Sequence, residues 1–221
     1  MMKHLPNFLT CMNLAIGCVG IYFTLSSQKP EAFYFVVLAG LFDFLDGFAA
    51  RLLKVQSEIG KQLDSLSDLV SFGLLPSFFM LQWMKDLTPF YWIAIVIAIF
   101  SALRLAMFNV DDSQTNNFKG LPTPANAIMI TSLVFVPFEL YEYTLMSLCI
   151  FSAILLVSPI RLIALKFSSK KWKGNEPRWI LIGGIVLLLV VFQWAFIPFL
   201  IPFYIVVSVI SFVINNKAEN F

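Results

Sequence analysis

Long apolar runs separated by short polar breaks set the rhythm of the chain. The first run, Asn7 to Leu25, is closed by Ser26-Ser-Gln-Lys-Pro30. A second, Ala32 to Leu53, gives way to a polar turn, Lys54 to Gln62, that holds Gly60. The third covers Leu63 to Met84 and is broken by Lys85-Asp-Leu-Thr-Pro89; the fourth continues to Val110. The most polar loop, Asp111 to Lys119, leads through Gly120-Leu-Pro-Thr-Pro124 into a fifth run ending near Phe138. An acidic turn with Glu139 and Glu142 precedes a sixth run to Leu165, and Lys166 to Arg178 is a basic loop. Trp179 to Ile214 carries no charge and is too long for one ~20-residue crossing, so the pattern predicts a break near Gln193 to Pro198 and eight helices in all.

Composition places these runs in a membrane. Of the 221 residues, 59% are hydrophobic, 24 are Phe and only 13% are charged, with a mean hydropathy of +0.84. The expectation is an all-α polytopic transmembrane bundle, with little chain left for a soluble domain. Cys11, Cys18 and Cys149 lie in apolar segments without a CxxC pair, which argues against a disulfide framework and a thiolate metal site. The first run is long and lacks an A-x-A-like cleavage site, so it reads as a retained helix. His4, the only histidine, lies near the terminus and reads as an interfacial residue.

Charge asymmetry predicts orientation. With the N-terminus inside, thirteen Lys and Arg fall on the inner side, and only Lys29 and Lys85 fall outside. Both termini and the acidic helix ends would then be cytoplasmic, as expected in a cell (inner) membrane. The Lys166 to Arg178 loop reads as an anchor for anionic lipid of the inner leaflet rather than a nucleic-acid surface.

Against this apolar background, Asp43, Asp46, Asp64 and Asp68 stand within 26 residues. Each carboxylate at a helix centre costs roughly 2.5–3.5 kcal/mol on insertion scales. The i,i+3 and i,i+4 spacings put each pair on one helix face, and a hairpin through Gly60 brings the faces together. Converging oxygen ligands suit hard divalent cations rather than zinc or copper. Arg51 adds a planar guanidinium matched to phosphate oxygens, and Gly47 and Ala50 are small enough to let a ligand approach. Two other readings compete: acids paired with basic neighbours, and an ion pathway. Arg51 cannot neutralise four acids, and transport has no need of a Gly-Ala-Arg signature between them.

The stretch resembles the signature of the CDP-alcohol phosphotransferase family, D-x2-D-G-x2-A-R-x8-G-x3-D-x3-D, at Asp43, Asp46, Gly47, Ala50, Arg51, Gly60, Asp64 and Asp68. The resemblance implies a six-helix core, here residues 1–165, with residues 166–221 as a basic loop and two added helices. It further implies a homodimer and two divalent cations, Mg²⁺ or Mn²⁺, on Asp43, Asp46, Asp64 and Asp68. Asp68 would be the general base, with orientation and charge stabilisation as the alternative part for a metal-bound aspartate. Asn7, Thr10, Gly47, Ala50, Arg51, Ser57 and Gly60 would contact CDP-diacylglycerol.

Further segments, Asn7-Phe-Leu-Thr-Cys-Met-Asn13, Leu63 to Gly73, Arg104 to Asn109 and Phe118 to Pro124, resemble the phosphatidylserine synthase branch. That implies transfer of phosphatidyl to L-serine with release of CMP. Arg104 could bind the serine carboxylate, or snorkel at the inner surface; Asn109 and Ser71 could hydrogen-bond the amino acid. Glycerol 3-phosphate or inositol phosphate would ask for a basic cluster facing the metals, where only Arg104 and Lys119 are candidates. A non-catalytic membrane carrier is the remaining alternative.

Overall fold

The computed structural model of the chain describes residues 4–26, 31–55, 57–110, 118–163 and 175–219. Two long antiparallel helices, α1 (Leu5–Ser26) and α2 (Ala32–Leu53), form its most extensive helix pair. Next, α3 (Glu58–Asp68) runs through a π-helical turn, Leu69–Leu74, into α4 (Leu75–Met84). A 3-10 turn (Tyr91–Ala94) opens α5 (Ile95–Val110); α6 (Thr123–Thr131) has a 3-10 extension, Ser132–Phe135; and α7 is Glu142–Val157. The last pair is α8 (Glu176–Phe192) and α9 (Ile197–Glu219). One two-residue antiparallel pairing, β1 (Phe118–Lys119) with β2 (Arg161–Leu162), ties the lead-in of α6 to the chain beyond α7.

This is an all-α membrane bundle. Among the described residues, Leu5–Ser26, Ala32–Leu53, Tyr91–Val110 and the stretch Glu176–Val213 are long and apolar enough to cross a membrane. Within the last stretch the chain reverses at Gln193, whose φ of 51° departs from the helix. A Cβ on Gly184 would meet the Phe203 ring at 2.7 Å. These residues lie nine and ten positions either side of Gln193, as in a helical hairpin.

The buried positions of α1 are Pro6, Thr10, Asn13, Gly17, Gly20 and Thr24. Steps of four and three keep them on one stripe, and small or polar residues there let neighbouring backbones come close. At Gly17 a Cβ would stand 3.0 Å from Ser71 Cα, and at Gly20 it would stand 2.7 Å from Phe35 Cβ. On α2 the stripe Ala32, Val36 and Ala39 is buried and continues by the same steps into Asp43 and Asp46. The acids therefore occupy positions that packing points inward. Asp43 is ten residues, about 15 Å, from the helix end at Leu53.

The π turn follows directly from Pro76. Proline at 76 cannot donate to the carbonyl of Phe72, and its ring crowds that carbonyl. The helix widens instead, and the Leu75 N–H bonds Val70 O, five residues back. Gly73 in this turn lets α5 approach, with Ser101 Cβ 3.0 Å from where a Cβ would stand.

Three boundaries differ from the pattern expected. Helix α3 begins at Glu58 rather than Leu63 because Ser57 Oγ accepts from Gly60 N at 3.0 Å and caps it, so Gly60 is helical. The fifth run ends at Phe135, before Pro137, and the sixth at Val157, before Pro159. Both helices are shorter than a full crossing. Residues 27–30 of the first breaker, 111–117 of the polar loop, and 164–174, which end the sixth run and begin the basic loop, lie outside the described residues. The other end of the bundle has a larger cleft, about 1130 Å³, lined by groups such as Gln82, Lys85 and Glu139. It contains none of the candidate site residues.

Gly17→Val wedges α1 away from the π turn. We expect the melting temperature in detergent, read by tryptophan fluorescence, to fall by roughly 3–10 °C. Gly183→Ala, where nothing lies within 4 Å of the added carbon, should leave it unlowered.

Candidate functional site

The hairpin of α2 and α3, with α1 across it, brings Asp43, Asp64 and Asp68 together. One carboxylate oxygen from each lies within 4.8 Å of the others. Asp46 is buried but outside this triad. Three residues along α2 turn it about 60° back and carry it about 4.5 Å further, so it points into an adjoining cleft.

Two carboxylates at 4.8 Å repel by about 3–4 kcal/mol in an effective dielectric near 20. Three such pairs approach about 10 kcal/mol, the order of a whole domain's net stability. Asp46 Oδ2 is buried with no hydrogen-bond partner. An all-oxygen donor set, mutual repulsion and an unpartnered oxygen together fit a hard divalent cation.

Asn13 supports the triad. It is fully buried, and its Nδ2 donates to Asp68 Oδ1 at 3.3 Å while its own Oδ1 has no partner. Asn13 was not among the site residues expected from the sequence. The signal was present in the small and polar stripe of α1, but which member of that stripe meets Asp68 depends on the register of the π turn.

The adjoining cleft has a volume of about 540 Å³. Its lining includes Asn7, Thr10, Gly47, Ala50, Ser57 and Gly60, together with Asp46, Asp64 and Lys61. Six of the seven residues expected to hold the nucleotide therefore share one wall. Gly47 has nothing within 4 Å of where a Cβ would stand, whereas at Gly60 that point lies 3.1 Å from Asn7 Oδ1. Thr10 donates to Pro6 O at 3.0 Å and stands beside Asp46.

Arg51 is the exception. It does not line the cleft, and its Nε bends back to donate to Gly47 O at 3.0 Å. Lys61, not singled out from the sequence, lines the cleft and donates from Nζ to Asn109 O at 3.1 Å.

None of the three residues expected to hold serine lines this cleft. Arg104 is only 8% exposed, lies over the Phe108 ring at 5.8 Å, interacts electrostatically with Asp68 and keeps its Nε unpaired. Burial removes the snorkelling alternative. Asn109 Nδ2 donates to Ser65 Oγ at 2.8 Å, and Ser71 Oγ donates to Asn13 O at 3.0 Å. Both side chains are engaged in helix packing.

Fold and site define a multi-pass membrane protein with an aspartate cluster opening on a polar cleft. The chain belongs to the CDP-alcohol phosphatidyltransferase family, whose model matches residues 3–157 and so takes in the whole site. It is similar to the CDP-diacylglycerol--serine O-phosphatidyltransferase of Mycobacterium leprae (strain TN), at 33% identity over 141 residues, 60% of this chain and 47% of the relative. The enzyme of that name from Bacillus subtilis (strain 168) is 34% identical over 136 residues, 61% of this chain and 77% of the relative. That from Helicobacter pylori (strain ATCC 700392 / 26695) is 30% identical over 177 residues, 76% and 74% of the two chains. The chain spans about half the length of the mycobacterial relatives it matches.

The cleft geometry predicts side-chain access. In a background lacking Cys11, Cys18 and Cys149, Gly47→Cys in detergent should react with a water-soluble maleimide. Ser71→Cys, at a position that is fully buried, should react only after denaturation.

Proposed function

We propose that the protein transfers the phosphatidyl group of CDP-diacylglycerol to the hydroxyl of L-serine, giving phosphatidylserine and CMP. The observation that carries this reading is the junction of the Asp43–Asp64–Asp68 triad with the 540 Å³ cleft. A pyrophosphate needs such a junction, with charge compensation at one end and room for a nucleotide at the other. The names of the relatives supply the acceptor and the lipid donor.

Two divalent cations, magnesium or manganese, held by Asp43, Asp46, Asp64 and Asp68 would offset the negative charge of the pyrophosphate and of the departing CMP. The chain's own residues do the rest. Gly47 and Ala50 leave the cleft wall low enough for the CDP group. Ser57 Oγ accepts from Gly60 N, which leaves its own proton free to donate to a phosphate or ribose oxygen. Arg51 must leave the Gly47 carbonyl to reach a phosphate. Asn7 and Thr10 close the cleft from α1. The acyl chains lie along the exposed outer face of α2, where Phe44 and Phe48 stack.

Asn13 occupies Asp68 Oδ1, so Oδ2 is the oxygen that takes the proton of the serine hydroxyl. The serine oxygen bonds to the phosphorus bearing the diacylglycerol, and the bond from that phosphorus to the CMP oxygen breaks. Arg104 binds the serine carboxylate. Among the described residues it is the one buried cation, which favours a small zwitterion over an acceptor with a doubly charged phosphate.

In this reading both termini and the cleft face the cytoplasmic side of the cell membrane, in line with the excess of Lys and Arg on that side. It makes residues 1–165 the reacting core and the last two helices an addition, within a homodimer.

Purified protein, CDP-diacylglycerol, Mn²⁺ and a panel of alcohols test the reading. CMP release should require serine. Turnover only with glycerol 3-phosphate or inositol phosphate would reject the acceptor, and no release with any alcohol would favour a carrier. Asp64→Asn and Asp68→Asn should each lower kcat by about 100-fold or more, in line with loss of proton transfer or charge stabilisation. Normal turnover in both variants contradicts the mechanism.

A further inference from the structure

On α5 and α6, away from the cleft, four buried side chains carry hydrogen-bonding atoms without a partner: Ser101 Oγ, Arg104 Nε, Thr123 Oγ1, and both amide atoms of Asn126. Asn126 is 0% and Thr123 1% exposed. An unsatisfied buried polar group destabilises the fold, and an apolar residue of similar size would avoid that penalty. Neither residue has a part in the reaction described so far.

Helix register places them at the level of the aspartates. Helix α6 packs on α2, and the Phe33–Phe135 ring contact at 4.9 Å joins the start of α2 to the far end of the α6 segment. From Phe135 back to Asn126 is roughly 15 Å through the 3-10 turn and the helix. The same distance along α2 from Phe33 reaches about Asp43. Thr123, one turn earlier on the same face, comes level with Asp46.

A second register agrees. Gly73 meets Ser101, and Ser65 bonds Asn109 at 2.8 Å, eight residues away on both antiparallel helices. Arg104 therefore stands opposite Val70, between Asp68 and Ser71. Helix α6 touches both α5 and the π turn, while no residue of α5 or α6 lines the nucleotide cleft.

We propose that Thr123 and Asn126, with Arg104, form the acceptor pocket, and that Asn126 reads the amino-acid end of the acceptor. An amide suits a zwitterion. Its oxygen accepts from the ammonium and its NH₂ donates to the carboxylate, with no net charge to repel either group. Arg104 takes the carboxylate, and the Thr123 hydroxyl completes the set. A phosphorylated acceptor has no use for the amide oxygen. The inference rests on serine being the acceptor.

Steady-state kinetics on the purified full-length protein, with both substrates varied, test it. Asn126→Leu removes both polar atoms at similar volume, and Thr123→Val removes the hydroxyl alone. The KM for serine should rise by about tenfold or more in Asn126→Leu and several-fold in Thr123→Val, the scale of hydrogen bonds to charged groups. The KM for CDP-diacylglycerol should stay within about twofold, and Asn126→Leu should not lower the melting temperature, since it relieves an unsatisfied group. If Asn126→Leu fails to fold, Thr123→Val carries the kinetic test. Unchanged KM for serine, or parallel rises for both substrates, would overturn the pocket while serine turnover by the unmutated protein stands. An unmutated protein that uses another alcohol and not serine would overturn the functional reading, and this pocket with it.

Discussion

Repulsion among carboxylates in a low-dielectric bundle is the constraint on which the rest of the structure depends. Asp43, Asp64 and Asp68 are held with oxygens within 4.8 Å, so the helices that carry them must be locked by contacts elsewhere. Those contacts include the backbone of Ser71 against Gly17 and the Ser101 side chain against Gly73. The π turn after Asp68, set by Pro76, brings Ser71 under α1, and the Ser71–Asn13 and Asn13–Asp68 bonds then run in series. A helix-packing device and a chemical group thus share one residue, Asn13.

The cluster divides the polar interior in two. On one side a cleft, open at Gly47, is walled by α1, the end of α2 and the start of α3. On the other, buried groups of α5 and α6 keep unpaired atoms at the same height. A transfer between a bulky nucleotide-lipid and a small alcohol calls for this arrangement, because the two substrates must meet at one phosphorus from different directions. Buried groups left unsatisfied are the expected mark of a site that spends stability on recognition.

Much of this was legible in the residues. The spacing of the four aspartates put them on facing stripes, and the uncharged stretch from Trp179 to Ile214 was too long not to turn, as it does at Gln193. Seven residues were expected at the nucleotide, and six line one cleft. Arg51 departs because its rotamer is decided by a backbone carbonyl on its own helix, which spacing does not encode. Ser71 and Asn109 have the right chemistry for a ligand, but the same hydroxyl and amide serve equally well between helices. Asn13 and Asn126 were hidden for the opposite reason. Their meaning comes from a register that the π turn and two aromatic rings set, and single-sequence patterns do not carry it.

Whether the aspartates form a cation site is decided by counting bound Mn²⁺ with electron paramagnetic resonance. Two Mn²⁺ per chain are expected with CDP-diacylglycerol present, and that binding should be lost in the folded Asp43→Asn/Asp64→Asn double variant. A protein that binds no Mn²⁺, or a double variant that binds it as tightly as the unmutated chain, would contradict a cation site there.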